Sequence, residues 1–194
     1  MKYTYPFDFP IDYNLLLEDS LALSEYQTRH ARTGLGHGYR PAKEGDEITH
    51  YACKLHILSD DRITDNPYKM SIESQCKRLM DAIGCKDYDV ILVEYDSESF
   101  LNWHIDKDHS SPDVFQEYGR INIIVTENWE DTPIIFKDDN GQEVPCPGRL
   151  QAVNTYRIEH RYDNRGKENR LLLIMTTKDM NYDEVINAIK RISF

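Results

Sequence analysis

The strongest constraint on the fold is a succession of short β-rich segments filling residues 89–177, each a few residues long and each closed by a turn signal. DVILVEY, FLNWHID, GRINIIVT, TPIIFK, RLQAVNTY and RLLLIMTT are rich in β-branched, aromatic and aliphatic residues, which pack well on a pleated surface. Between them stand Asp139-Asn140-Gly141, Pro145 to Gly148 and Asp163-Asn164-Arg165-Gly166, residues that accept positive φ or fix φ near the value a turn needs. Six or more strands joined this way predict antiparallel hairpins. One of them returns the chain from His160 along RLLLIMTT.

Helical patterning flanks this block. Residues 14–26 (NLLLEDSLALSEY) read as a short helix, and residues 33–47, with Gly34, Gly36, Gly38, Pro41 and Gly45, as an irregular loop. Ser71 is placed to cap a helix whose Ile72, Cys76, Leu79, Met80 and Ile83 recur at helical spacing until Gly84 stops it. At the end of the chain, Val185, Ile186, Ile189 and Ile192 share one helical face, with Asp183 and Glu184 near the N-terminus where the helix dipole favours them. The expected organisation is one domain over residues 1–194: an N-terminal flanking region 1–88, a β core over 89–177 and a C-terminal helix over 181–194.

Composition narrows the function classes. Asp and Glu outnumber Lys and Arg by 34 to 23, and a net charge of -11 repels phosphate backbones and anionic membranes, so no nucleic-acid partner is expected. Cys53, Cys76, Cys85 and Cys146 form neither a C-x-x-C pair nor a zinc-type cluster and read as reduced thiols. The N-terminus lacks an apolar core behind a basic start, and no stretch approaches the roughly 20 apolar residues of a membrane span. The expected location is cytoplasmic.

The chemistry concentrates in Trp103-His104-Ile105-Asp106. On a strand, residues two apart share a face, so His104 and Asp106 reach into one space while Ile105 packs on the other side. An imidazole and a carboxylate, joined by a second imidazole, make the facial triad of non-haem Fe(II), which leaves coordination positions open. Of the other histidines, His30, His37, His50 and His56 precede the β-rich block, and His109 sits in a polar loop with Asp108, Ser110, Ser111 and Pro112. His160 follows an apolar strand, and Arg170 begins the returning one, where a guanidinium can grip a carboxylate through two parallel hydrogen bonds. By alternation, Arg120 and Asn122 share a face and are candidates to contact a co-substrate or a substrate carboxylate; Trp103 and Trp129 are candidate walls of a substrate pocket.

These residues resemble the 2-oxoglutarate and Fe(II)-dependent oxygenases, whose pattern is H-x-D, a distal His and an Arg or Lys some ten positions on. Here the match is His104, Asp106, His160 and Arg170. Tyr95 precedes His104 at the spacing of a Tyr that contacts 2-oxoglutarate in prolyl-hydroxylase-like members, and PIIFKDDNGQEVPCPGRLQAVN is similar to their hairpin and Pro-x-x-Gly turn. GRLQAVNTYRIEHRYDNRGKENRLLLIM is most similar to the aspartyl/asparaginyl β-hydroxylase and proline cis-4-hydroxylase branch. One departure is Tyr95-Asp96-Ser97-Glu98, where many relatives carry Gly after the Tyr.

The resemblance implies a mainly β, cupin-like double-stranded β-helix (jelly roll) with flanking α-helices. It implies Fe(II), 2-oxoglutarate and O2 as the reacting partners, with Arg170 and Tyr95 on the far carboxylate. The activity implied is hydroxylation of an amino-acid, peptide or protein side chain. Blander readings stand beside this one. His104 and Asp106 form a plain hydrogen-bonded pair, Arg170 pairs with Glu168 or Glu159, and Tyr95 is core. A non-catalytic cupin-like binding module, or a hydrolase or isomerase on zinc or manganese, uses the same ligands.

Overall fold

The computed structural model describes residues 2–30, 33–35, 53–58, 61–97, 99–106, 117–164 and 166–192. His37, His50, Asp108, His109, Asp113 and Arg165 lie outside them, as does most of the 33–47 loop. The elements run β1 (Thr4–Pro6), α1 (Tyr13–His30), β2 (Thr33–Leu35), β3 (Cys53–Ile57), α2 (Pro67–Ile83), β4 (Tyr88–Tyr95) and β5 (Ser99–His104). There follow β6 (Gly119–Ile124), β7 (Ile134–Lys137), β8 (Glu143–Cys146), β9 (Leu150–Val153), β10 (His160–Asn164), β11 (Arg170–Thr177) and α3 (Tyr182–Ile189). They form two antiparallel sheets, one ordered β1-β9-β6-β11-β4-β3-β2 and the other β5-β10-β7-β8. This is the mainly β jelly-roll architecture with flanking helices.

Alternation along the large sheet divides the apolar residues between two cores. Leu92, Ile121, Ile123, Leu150, Ala152, Leu171, Leu173 and Met175 pack with Leu16 and Leu23 of α1, Ile72 and Leu79 of α2, and Val185 and Ile189 of α3. Their neighbours Val93, Tyr95, Ile124, Val153, Leu172 and Ile174 face the small sheet and meet Ile134, Phe136 and Tyr162. At about 1.5–3 kcal/mol for each fully buried large aliphatic side chain, both layers are large terms in holding the sheets and helices together.

Several boundaries differ from the sequence reading. Helix α2 begins four residues before Ser71, because Asn66 caps it, accepting from Tyr68 N at 3.0 Å and Lys69 N at 3.1 Å, and Pro67 fits the first turn. Gly84 does end it, at φ 79. Helix α3 spans only Tyr182–Ile189, opened by a capping box between Asn181 and Glu184. The N-terminal flank contributes three strands to the large sheet.

The expected hairpin from His160 to Arg170 does not form. Strand β10 lies between β5 and β7 in the small sheet, whereas β11 lies between β4 and β6 in the large one. Both edges of β11 are already filled, by eight residue pairs with β4 and six with β6. The connecting turn therefore crosses between sheets. Asn164 anchors it, donating to Tyr95 O at 3.4 Å, Asp96 O at 2.8 Å and Glu168 O at 3.0 Å.

Candidate metal centre

The site sits where β5 ends and β10 begins. His104 and His160 are direct cross-strand partners with ring centroids 4.3 Å apart. The register then slips, Tyr162 pairing with Leu101, so β5 carries one extra residue at a bulge. The bulge lets both Leu101 and His104 face inward. Asp106 lies just beyond the strand, fixed by its N–H donating to Thr155 O at 3.0 Å. Its carboxylate stands 3.5 Å from His104 Nε2 and 3.8 Å from His160 Nε2. One ligand atom from each of the three residues lies within 4.8 Å of the others, and among the described residues no other His, Cys, Asp or Glu group does this. Ile105 points away as alternation requires, yet it is exposed rather than packed.

The electrostatics prepare these groups to bind a cation. His160 Nδ1 lies 3.3 Å from Ile158 O; a carbonyl only accepts, so Nδ1 carries the proton and Nε2 presents its lone pair. That Nε2 is buried and has no hydrogen-bond partner. Burial, helped by His104 and Arg120 against the pull of Asp106, pushes the imidazole down to about 3, so it is neutral at physiological pH. Burial alone would raise the Asp106 pKa, but the Arg120 guanidinium, 2.5 Å from Oδ2, holds it well below the usual carboxylate range. This is a charge contact: the same Oδ2 makes no well-directed hydrogen bond. Two imidazole nitrogens and an ionised carboxylate are a donor set that fits a divalent metal of borderline softness.

Arg170 supplies the second half of the site. It opens β11 opposite Tyr95, is 1% exposed, and lies with its guanidinium carbon 5.8 Å from the Tyr95 ring centre and 5.5 Å from that of Tyr162. Burial lowers its pKa, but from so high a value that the charge persists. Its Nε and Nη1 are buried without hydrogen-bond partners, and among the described residues neither Glu168 nor Glu159 forms an ion pair with it. A buried cation with unused donors fits a carboxylate brought by a ligand.

No protein-family model matches the chain, and no curated protein matches it by sequence. Solved structures do match. A prolyl-4-hydroxylase of Pseudomonas putida aligns over 93% of this chain and 94% of its own, with a TM-score of 0.54 and 12% identity. The fold is that of the 2-oxoglutarate/Fe(II) oxygenases. A prolyl hydroxylase of Trichoplax adhaerens, solved with a hypoxia-inducible-factor peptide fragment, covers 96% of this chain and 87% of its own at a TM-score of 0.55 and 14% identity. The epimerase SnoN, solved with Fe3+, alpha ketoglutarate and nogalamycin RO, covers 92% and 79% at a TM-score of 0.58 and 10% identity.

The remaining candidates distribute unevenly around this oxygenase fold. Arg120 and Asn122 face the interior: Arg120 contacts Asp106 and lies 5.4 Å from the Tyr156 ring centre, and Asn122 donates to the Tyr162 hydroxyl at 2.8 Å. Trp103 is not brought to the His104 face. It stands on the outer side of the small sheet, 4.4 Å from Lys137 Nζ and 5.1 Å from the Arg161 guanidinium. Trp129 packs, half-buried, against the interior from the β6–β7 connection. The residue the sequence reading missed is Tyr162. Its ring is edge-on to His160 at 5.6 Å and beside Arg170, so it separates the metal candidates from the buried cation. Its position two residues after His160 on one strand was the available signal.

Proposed function

We propose that this chain is a non-haem Fe(II) dioxygenase, with His104, Asp106 and His160 holding iron and with Arg170 and Tyr95 holding the far carboxylate of 2-oxoglutarate. The observation that carries the reading is the pairing of two unmet demands in one interior. Among the described residues, His160 Nε2 is buried without a donor and the Arg170 guanidinium is buried without an anion. A metal answers the first and a dicarboxylate the second, with Tyr162 between them. When bound, the iron and co-substrate supply oxidative decarboxylation of 2-oxoglutarate coupled to oxidation of a substrate C–H bond.

The chain's own residues bind and orient. Arg120 balances Asp106 and, with Asn122, is the proposed contact for the reacting end of the co-substrate. Phe136, Tyr162 and Ile174 keep the interior apolar and exclude water. The finer proposal is hydroxylation of an amino-acid, peptide or protein side chain. The prolyl hydroxylases of this fold support it.

The test is anaerobic visible absorption during titration with Fe(II) and then 2-oxoglutarate. A weak charge-transfer band requiring both additions is expected. His160→Ala abolishes it, and Arg170→Ala raises the 2-oxoglutarate concentration for half-saturation at least about tenfold, the scale of a lost charged hydrogen bond. A wild-type protein that gives no band and binds no 2-oxoglutarate overturns the proposal.

A further inference from the structure

Behind Tyr95 and Arg170, on the helix-facing side of the large sheet, lies a second buried charge that the oxygenase reading does not use. Glu94 neighbours Tyr95 on β4 and pairs across the sheet with Leu171, the neighbour of Arg170. Its Oε2 accepts from Ser24 Oγ of α1 at 2.7 Å and from His56 Nε2 of β3 at 3.1 Å. Its Oε1 accepts from Asn169 Nδ2 at 3.0 Å, with Lys54 Nζ at 3.6 Å. Asn169 Oδ1 in turn accepts from Ser97 N at 3.1 Å. The carboxylate thus ties one helix, one strand and both chain segments that flank the Tyr95–Arg170 pair.

The placement matters because that pair is the last rung of the β4–β11 ladder. Backbone pairing stops there, yet a guanidinium must be held to within about 0.5 Å to present its donors to a carboxylate. Beyond the rung, the constraints are side-chain bonds: Glu94 to Asn169, Asn169 to Ser97, and Asn164 to the carbonyls of Tyr95, Asp96 and Glu168. A buried carboxylate is costly to hold, and an apolar side chain here would keep the sheet packed without that cost. What an apolar residue cannot do is reach Asn169.

We propose that Glu94 is a positioning residue for the dicarboxylate end of the site, acting through Asn169 to hold Arg170 and Tyr95 in register at the open end of the ladder. This rests on the oxygenase reading above. It predicts that loosening Glu94 or Asn169 weakens 2-oxoglutarate and leaves the metal alone, because His104, Asp106 and His160 belong to the other end of the interior.

The experiment uses Asn169→Ala, at an exposed position, together with Glu94→Gln and Glu94→Ala. For each, the Kd of Fe(II) alone, the Kd of 2-oxoglutarate on the anaerobic Fe(II) protein, and the metal-free Tm are measured. Asn169→Ala is expected to weaken 2-oxoglutarate roughly five- to tenfold, the scale of one hydrogen bond, with Fe(II) affinity within about twofold of wild type. Glu94→Gln, which retains an acceptor for Asn169, should fall between wild type and Glu94→Ala. If Glu94→Ala fails to fold, Asn169→Ala carries the test. Unchanged 2-oxoglutarate affinity in Asn169→Ala, or parallel loss of both ligands with a lowered Tm, overturns the inference while wild-type binding leaves the oxygenase reading standing. A wild type that binds no 2-oxoglutarate overturns both.

Discussion

At the scale of single residues, two largely buried carboxylates answer to different conditions, Asp106 to a bound cation and Glu94 to pH. Arg120 and Asp106 are both largely buried and compensate each other, so Arg120→Met strands a carboxylate and is expected to destabilise the metal-free protein by about 3 kcal/mol. A divalent metal restores much of that loss, because it replaces the guanidinium as counter-charge. Melts with and without Mn(II) check this, and a variant whose deficit Mn(II) leaves untouched would count against a cation site at Asp106. Glu94 responds to pH. Its hydrogen bond from His56, with those from Ser24 and the charge of Lys54, overcomes burial and lowers its pKa from 4.5 to about 2. A folded pKa below the unfolded one stabilises above the unfolded value and loses that contribution as pH falls from 4.5 to 2. Glu94→Gln should therefore cost about 1–3 kcal/mol at neutral pH, discounted for partial solvent screening, and the gap to wild type should narrow below pH 4.5. A pH-independent gap in denaturant titrations would contradict this.

At the scale of elements, legibility followed pattern length. The long, apolar β4 and β11 stand where the sequence places them, and Gly84 ends α2 as read. Strand β10 was not separately legible because its buried alternate residues, His160, Tyr162 and Asn164, include no aliphatic side chain, Asn164 donating to the turn carbonyls, so it lacks apolar alternation. Strands β1 and β2 are three residues long, too short for any period to register. The start of α2 was misplaced because a Ser before an apolar run resembles a cap, whereas Asn66 with Pro67 supplies the actual one. Asn66→Ala should accordingly lower stability by about 1 kcal/mol, and Ser71→Ala much less; equal effects in thermal melts would contradict the assignment. His104 and Asp106 were legible as a pair from the short H-x-D spacing, although Asp106 lies just beyond β5 and is held by Thr155 O; His160 was legible through the family resemblance, since the hairpin read for it does not form. Trp103 obeys the same alternation, which the reading of it as a pocket wall overlooked: one position from His104, it belongs to the other face.

At the scale of the whole molecule, the large sheet separates two jobs that one strand performs at alternate positions. Along β11, Leu171, Leu173 and Met175 carry the helices, while Arg170, Leu172 and Ile174 face the small sheet and the site. Leu172 and Leu173 are adjacent and both fully buried, so either Leu→Ala change leaves a cavity and should cost about 2–5 kcal/mol. Their consequences for binding should differ. The Leu173 cavity opens under the helices, on the far side of a sheet whose backbone pairing is continuous, and is expected to lower Tm with 2-oxoglutarate affinity little changed. The Leu172 cavity opens in the interior shared with Tyr95 and Tyr162, where a loosened wall lets Arg170 move and admits water beside its charge. That variant should lose affinity for 2-oxoglutarate as well as stability. Melting curves and anaerobic titrations on both variants separate the cases. Equal affinity losses would mean that the sheet transmits packing defects between its faces, and the division of labour along β11 would then fail.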